Sequence, residues 1–280
     1  MAKHRLVPNL PRSLLRTPPH LTCSGCAVGK TAAAPFRKHP HRDPIGSHLH
    51  SDIYGPLPVD SIHGNKYVAT FLDQGSRYLH IFCAPSKSLA AAHTSTHVDH
   101  IHATTPHRIR HFTSDNAREY YTHDLTNFFA DLHICTHPSV PHTPQENGLA
   151  ERINRTLSND ARSCLLTSNL PASLWEYAFH SCVDTYNHTI HTATGRIPHS
   201  LWTGTTPEIH TLLPFGTAGH VHTRAPRNKL EPRAIFAHYV GRQDYYHYYV
   251  YDPIRRGDRV FYSLWAKISS CPGFDGTLGL

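Results

Sequence analysis

The sequence predicts an α/β fold in which helices flank a mixed β-sheet. Three observations lead to this prediction. Three β-rich segments come first, between residues 48 and 84, and helical patterns then alternate with two further β-rich segments up to residue 139. Two long helical patterns follow before residue 188. The early strands are therefore expected to pair antiparallel, whereas the later strands are expected to be joined by helical crossovers, which parallel pairing requires.

The first three strands are predicted from runs of β-branched, aromatic and other apolar residues. The stretch "HLHSDIYG" is interpreted as a short strand around Asp52. The stretches "KYVATFLD" (66–73) and "RYLHIFCA" (77–84) follow it and are separated by "QGS". This arrangement predicts a hairpin in which Gly75 provides the conformational freedom of the turn.

Helices and strands alternate after this hairpin. A helix is predicted over residues 86–103, with Ser86 or Ser88 as its N-cap. A second helix is predicted over residues 122–133, with Thr122 as the cap and apolar residues spaced at i, i+3, i+4 and i+7. The remaining predicted elements are strands at 107–115 and 134–139, a long helix ending near residue 168, and a helix at 170–187 with Pro171 in its first turn.

Composition divides the chain into three segments. Residues 1–43 are basic and rich in proline, residues 44–205 carry the alternating pattern, and residues 206–280 contain short β-rich runs such as "YYHYYVYD". The pattern predicts an α/β domain in the middle segment and a small, basic β-rich region in the last one. We expect the last region to bind DNA through Arg227, Lys229 and Arg233, with Arg224, Arg242, Arg255 and Arg256 adding positive charge.

Charge and hydropathy limit the classes of function. The chain has 280 residues, with 27 Lys and Arg against 20 Asp and Glu, which gives a net charge of +7. This balance favours an anionic partner such as nucleic acid. No apolar run approaches the roughly 20 residues that span a bilayer, and the N-terminus lacks the apolar core of a signal peptide. An intracellular protein with reduced cysteines is therefore expected.

A zinc-binding motif is half present near the N-terminus. Cys23 and Cys26, in "CSGCAVGK", have the spacing with which one turn presents two thiolates to zinc. Histidines are abundant, at 27, but none upstream or downstream of this motif has a spacing that completes the site. Either further ligands complete a zinc site with Cys23 and Cys26, or the motif is half of a zinc site and binds no ion.

Three carboxylates are candidates for a two-metal phosphoryl-transfer site. Asp52 lies within the first strand, where a lone charge is costly unless it is used. Asp115 ends the fourth strand, and Glu151 lies near the start of the long helix. Pairing of strands one and four would make the two aspartates neighbours, and the helix would bring Glu151 over the same edge. Asp73, at the end of strand two, is a fourth possibility but is more simply explained as a turn residue.

The long helix has an apolar face and a polar face. Leu149, Ile153 and Leu157 repeat every four residues and predict burial. Asn147, Glu151 and Arg155 follow the same spacing on another face, and Arg152 stands beside them. This polar face is expected to lie beside the candidate metal site, whereas the alternative is a solvated helix face for the two arginines.

Three segments together resemble the integrases of copia-type LTR retrotransposons, and more broadly retroviral-type integrases. They are "LHSDIYGPLP", "TSDNAREY" and "PHTPQENGLAERINRT", each carrying one candidate carboxylate. Thirty-five residues lie between Asp115 and Glu151, which is the family spacing. The resemblance covers residues 23–205 and continues more weakly into the C-terminal part. It implies an RNase H-like mixed five-stranded sheet, with residues 44–205 as the catalytic core and residues 1–43 as a remnant of the zinc-binding, pre-integrase segment. It further implies that Asn147, Arg152 and Arg155 grip DNA ends. It also implies that Mg²⁺ or Mn²⁺ binds Asp52, Asp115 and Glu151 as the catalytic residues.

The resemblance implies DNA 3′-end processing and strand transfer by a homo-oligomer in the nucleus and in cytoplasmic retrotransposon particles. Two departures bear on activity: Ala117-Arg118 replaces the usual glycine pair, and the upstream histidine pair has no clear match. With Met1 as the single methionine, the sequence suggests a truncated polyprotein fragment. The alternatives are a degenerate integrase that only binds DNA and a structure-selective nuclease on the same fold.

Overall fold

The computed structural model describes residues 43–115, 117–138, 148–207, 212–222, 234–243, 247–254 and 260–264. All of them belong to one compact unit, His41–Leu280. The predicted division at residue 205 between a core and a C-terminal region stays a prediction. None of the helices in the described ranges is long and apolar enough to cross a membrane.

The first sheet has five strands in the order β3-β2-β1-β4-β5. Strands β1, β2 and β3 are antiparallel neighbours, whereas β1, β4 and β5 are parallel. This mixed order is that of the RNase H-like fold, so the predicted fold class is confirmed. The strands are β1 (His48–Tyr54), β2 (Tyr67–Asp73), β3 (Leu79–Ala84), β4 (His111–Ser114) and β5 (Cys135–Pro138).

Helices cover both faces of this sheet. They are α1 (Ala90–Thr104), α2 (His123–Asp131), α3 (Gly148–Ser168), α4 (Trp175–His188) and α5 (Pro198–Thr203). On one face, α1 and α2 pack against residues such as Phe71 and Phe112. On the other, α3 and α4 pack against residues such as Leu72. Successive residues of β2 thus enter opposite cores, as the two-residue period of a strand requires.

The N-cap residues predicted for α1 and α2 differ in outcome. The Thr122 side chain accepts a hydrogen bond from the Leu125 backbone N–H, so this predicted cap is confirmed. Ser86 precedes a 3₁₀ turn that leads into α1, but its hydroxyl bonds to Ser88 and makes no capping bond to the backbone. Ser86 thus holds the N-cap position of the 3₁₀ turn without the expected side-chain bond, and the N-cap of α1 is Leu89, so the prediction that Ser86 or Ser88 caps this helix is wrong.

The fourth strand is shorter than the predicted 107–115. The backbone N–H of Ile109 donates to the His102 side chain at 3.0 Å, so a residue expected in the strand is bonded to α1. Pairing with β1 begins only at His111. Helix α5 was not predicted, because six residues beginning with Pro198 carry too short a pattern to be recognised.

A second, four-stranded antiparallel sheet follows in the order β6-β7-β8-β9, which confirms the β-rich character predicted for the C-terminal region. Its strands are β6 (Ala218–His222), β7 (Ala234–Arg242), β8 (His247–Tyr251) and β9 (Val260–Leu264). Val240 and Tyr251 of this sheet pack with Leu174, just before α4. The second sheet is therefore docked on the α4 side of the core.

Asn187 joins α4 to the edge strand of the first sheet. Its side-chain amide donates to the Leu79 carbonyl at 2.8 Å and accepts from the Leu79 N–H at 2.9 Å. Asn187 is only 5% exposed, so water has little access to these groups. The side chain thereby satisfies an edge-strand peptide that would otherwise lack partners.

Replacing Asn187 with leucine is expected to lower the free energy of unfolding by about 2–4 kcal/mol, because two buried backbone groups lose their partners. Urea unfolding followed by circular dichroism measures this loss. Asn127→Leu is the matched control, since Asn127 is exposed and bonds to His123 on its own helix. A loss equal to that of the control would show that Asn187 does not hold the edge strand.

Candidate active site

Asp52 and Asp115 are brought together by the register of two parallel strands. The last pair in the β1–β4 ladder is Ser51 with Ser114. The next residue in each case is Asp52, within β1, and Asp115, directly after the end of β4. Neighbouring strands lie about 4.8 Å apart, and paired residues point to the same face. The two carboxylates are therefore attached at adjacent positions, at the carboxyl-terminal ends of β1 and β4.

Hydrogen bonds orient both aspartates. Asp52 Oδ1 accepts from the Ile53 N–H and Oδ2 accepts from the Asn154 amide, each at 2.9 Å. Asp115 Oδ1 accepts from the Ala117 N–H at 3.2 Å. Asn154 lies on α3 and is 5% exposed, so its bond to Asp52 also fixes the helix over strand β1.

Glu151 shares a surface cavity of about 460 Å³ with Asp52. It is exposed in the first turn of α3, one turn before Asn154. The cavity is lined by Asp52, Ile53, Tyr54, Glu151, Asn154, Arg155, Ser158, Asn159 and Arg162. The helix thus brings Glu151 and the guanidinium groups of Arg155 and Arg162 to the cavity that Asp52 lines. Asp115 is not among the lining residues, and the ligand oxygens of the three acids do not all lie within 4.8 Å of one another.

Asp52 lies within electrostatic reach of the other two acids. Burial raises the pKa of Asp52, and the charges of Asp115 and Glu151 raise it further, against hydrogen bonds from Ile53 and Asn154 that lower it. Burial also raises the pKa of Asp115. A divalent cation placed among these oxygens would relieve the repulsion.

The predicted faces of α3 are confirmed in the residues that the structure describes. Ile153 and Leu157 are buried and Leu149 is partly buried against the same core. Glu151, Arg152 and Arg155 are exposed. Of the two predicted arginines, Arg155 lines the acidic cavity, whereas the Arg152 side chain bonds to the Gly148 carbonyl at the helix start.

Several predicted site residues lie outside the described ranges. These are the two candidate zinc ligands and four candidate DNA contacts: Cys23, Cys26, Asn147, Arg227, Lys229 and Arg233. Their roles stay predictions.

Asp73 has a structural role, in agreement with its simpler interpretation. Its carboxylate is buried and accepts hydrogen bonds from the Gly46 N–H and from the N–H and hydroxyl of Ser76. Ser76 lies in the turn that joins β2 to β3. Asp73 therefore stabilises that turn and does not face the acidic cavity.

Arg242 corrects one expectation for the C-terminal region. Its guanidinium makes two hydrogen bonds to the Asp184 carboxylate, at 2.6 and 2.9 Å, and its side chain is 6% exposed. The prediction that Arg242 contributes to DNA binding is therefore wrong, because the charge is used to dock β7 on α4.

Asn154 is the site residue that sequence reasoning missed. It occupies a polar position directly after Ile153 on the buried side of α3, where an amide needs a partner. That signal was present in the sequence, but the partner, Asp52, lies 102 residues away.

The sheet order and the acidic edge define an RNase H-like core with a candidate divalent-cation site. Residues 45–144 match the family described as "Integrase core domain". This segment is therefore similar to an integrase core domain. Glu151 lies seven residues beyond the matched segment, on the helix that completes the cavity.

Two plant Pol polyproteins are similar to the chain. It is 29% identical over 238 residues, or 84% of its length, to the "Retrovirus-related Pol polyprotein from transposon TNT 1-94" of Nicotiana tabacum. It is also 29% identical over 202 residues, or 71% of its length, to that from transposon RE1 of Arabidopsis thaliana. The chain spans only 18% and 13% of these curated relatives.

Solved integrase structures are more distant. The simian T-cell lymphotropic virus intasome with the PP2A regulatory subunit B56 gamma contains a chain that is 18% identical, with a TM-score of 0.49 over 84% of this chain and 83% of that one. The HTLV-2 integrase catalytic core with magnesium, in a trimeric form, is 17% identical, with a TM-score of 0.44 over 58% of this chain and 99% of that one.

Proposed function

We propose that this chain is a metal-dependent DNA integrase that trims DNA 3′ ends and joins them to target DNA. The observation that carries the proposal is the placement of Asp52 in β1 and of Asp115 directly after the adjacent parallel strand β4, with Glu151 lining the same cavity as Asp52. Joining two ends requires two such sites, so we propose that the protein works as a homo-oligomer.

The three candidate carboxylates fit Mg²⁺ or Mn²⁺ in their chemistry. Asp52, Asp115 and Glu151 offer hard carboxylate oxygens, which Mg²⁺ prefers. When bound, a pair of such ions supplies activation of an attacking oxygen and stabilisation of a leaving oxygen at a phosphate. The raised pKa of Asp52, caused by burial and by its acidic neighbours, is consistent with a site that gains from a cation.

The residues around the carboxylates would position them and the DNA. Asn154 and the Ile53 N–H hold the Asp52 carboxylate, and the Ala117 N–H holds that of Asp115. Arg155, on the cavity wall, carries a planar guanidinium that matches a phosphate in geometry. We propose that Arg155 binds a DNA phosphate beside the acids, with Arg152 adding charge at the rim.

The strand-transfer step needs no external energy source. The 3′-hydroxyl oxygen of the element end forms a bond to a target phosphorus, while the bond from that phosphorus to the target 3′ oxygen breaks. The hydroxyl proton leaves to solvent and the departing oxygen takes one up. Because one phosphodiester bond replaces another, this chain needs to supply only positioning and charge stabilisation.

Strand transfer by the purified full chain tests this proposal. Labelled duplexes with the element's end sequence are incubated with target plasmid and Mg²⁺ or Mn²⁺, and joined products are separated by size. We expect products with either ion and none after chelation by EDTA. DNA binding without products in either ion would favour a degenerate, DNA-binding integrase, and cleavage without joining would favour a nuclease.

The salt dependence of DNA binding is expected to report the basic C-terminal residues. If four to six phosphates are contacted, log K against log[salt] should fall with a slope of roughly −4 to −5, at about −0.9 per contact. Changing Arg227, Lys229 and Arg233 together to glutamine should flatten the slope by roughly 2–3. Fluorescence anisotropy with duplex DNA measures both slopes. An unchanged slope in this variant, with a flatter slope in Arg152→Gln/Arg155→Gln, would locate binding on α3 instead.

A further inference from the structure

A cluster of metal-ligand side chains shares no residue with the acidic cavity around Asp52 and Glu151. The Cys83 thiol, the Glu176 carboxylate and the His180 imidazole each place one ligand atom within 4.8 Å of the other two. Cys83 belongs to strand β3, and the other two residues belong to helix α4. This thiol–carboxylate–imidazole set has no role in the proposed integrase chemistry.

The packing of α4 along β3 explains why these residues meet. Glu176 and His180 are four residues apart, so they lie on one face of the helix. The Asn187 amide fixes the far end of α4 at Leu79. From Leu79, four strand residues span about 13 Å to Cys83. Counting back from Asn187, nine residues of α4 span about the same length, and they end between Glu176 and His180. The strand and the helix run in opposite directions, so this part of the helix lies beside Cys83.

Glu176 is held in place by two neighbours. Its side chain is 14% exposed, and its Oε2 accepts from the Asn65 amide at 3.0 Å and lies 3.1 Å from His63 Nδ1. A carboxylate can keep such bonds on one oxygen while its second oxygen binds a cation. Supporting hydrogen bonds of this kind are typical of metal-binding carboxylates.

The cavity beside the cluster gives an ion a route from solvent. Glu176, His180 and His63 line an open pocket of about 480 Å³. His180 is exposed as a residue, although the atoms packed around its ring still lower its pKa through desolvation. Cys83 is half-buried at the inner side of the cluster. The ligand set therefore spans from the sheet to the surface.

We propose that Cys83, Glu176 and His180 bind a zinc ion, with water as the fourth ligand and with His63 and Asn65 orienting Glu176. Thiolate and imidazole ligands select zinc over Mg²⁺, which prefers oxygen alone. Ligand atoms around tetrahedral zinc are separated by roughly 3.4–3.6 Å. Small side-chain rotations would therefore bring the three ligand atoms, which lie within 4.8 Å of one another, to these separations. The ion would fasten α4 to the edge strand and to the loop that carries His63.

Cobalt(II) spectroscopy on the full chain tests this site directly. Cys23→Ser/Cys26→Ser serves as the background, because it removes the thiolate pair predicted near the N-terminus. Titration with Co²⁺ alone is expected to give tetrahedral d–d bands and a thiolate-to-cobalt charge-transfer band that saturates at one equivalent. In that background, Cys83→Ser should lose the charge-transfer band, whereas Cys135→Ser, at an exposed cysteine outside the cluster, should keep it.

His180→Gln provides a second variant in case Cys83→Ser does not fold. His180 is exposed, so its replacement should leave the circular dichroism spectrum unchanged. It should weaken Co²⁺ binding, and Zn²⁺ binding measured by competition, at least about tenfold. Unchanged affinity in His180→Gln, a charge-transfer band that survives Cys83→Ser, or no such band in the background protein would each overturn the proposal.

Discussion

Glu151→Gln is expected to reduce strand transfer at least roughly 100-fold, since even residues that only support metal ligands cost 10- to 100-fold when changed. The substitution keeps the shape of the side chain but removes an anionic oxygen that the cation needs. Glu151 is exposed, so thermal stability should be unchanged. Loss of its charge also removes one of the repulsions acting on Asp52.

Asp160→Asn is the matched control, because Asp160 is an exposed acid on the same helix. It should retain full strand transfer in the same assay. Near-normal activity of Glu151→Gln would remove Glu151 from the site. Unfolding of that variant would show that Glu151 is mainly a structural group.

Asp184→Asn is expected to lower the free energy of unfolding by about 3 kcal/mol, because it leaves the buried Arg242 guanidinium without a counter-charge. The Arg242 side chain is 6% exposed and pairs with both oxygens of Asp184. The same pair docks strand β7 on α4, so loosening of the second sheet should accompany the loss. Urea unfolding at neutral pH measures the change.

The exposed pair Lys66–Asp60 gives the control for this prediction. Its atoms are 3.5 Å apart with side chains 47% and 57% exposed, so Lys66→Met should cost no more than about 1 kcal/mol. Equal losses in the two variants would mean that Asp184–Arg242 is not an important contact. The double variant Asp184→Leu/Arg242→Met should recover much of the lost stability, because no unpaired charge remains.

The stabilisation by Asp184 should depend on pH in a defined direction. Burial opposes its ionisation, but hydrogen bonds from His188 and Arg242 outweigh that effect and lower its pKa below 3.8. A group whose pKa is lower in the folded state than in the unfolded state stabilises the fold fully at pH values above its unfolded-state pKa. That stabilisation is lost as the pH falls through its folded-state pKa. The difference in stability between the natural protein and Asp184→Asn should therefore shrink below pH 3.8.

Local patterns in the sequence predicted most of the first sheet and its helices. The order of apolar residues predicts which face of each element is buried. This is why the alternation in β2 and the four-residue spacing in α3 could be recognised in the sequence. The start of β4 could not be predicted, because it depends on the bond between Ile109 and His102. Helix α5 is too short for its pattern to be distinguished from a loop.

The candidate site was predictable at the level of residue types and strand positions, but not at the level of contacts. Asp52 and Asp115 stand out as acids in or at the end of strands, yet their adjacency depends on a register across 62 intervening residues. Asn154, Arg242 and the cluster at Cys83 depend on long-range packing. A buried amide, a docked guanidinium and three converging ligands become visible only when the elements are assembled.

Anomalous scattering from a crystal grown with Mn²⁺ tests the shared acidic site most directly. We expect an anomalous peak between strands β1 and β4, within roughly 2.0–2.6 Å of carboxylate oxygens from Asp52 and Asp115, the usual range for divalent cations with oxygen ligands. Glu151 should face the same peak or a second one beside it. Mn²⁺ bound elsewhere at saturating concentration, with the three carboxylates unliganded and apart, would contradict the account.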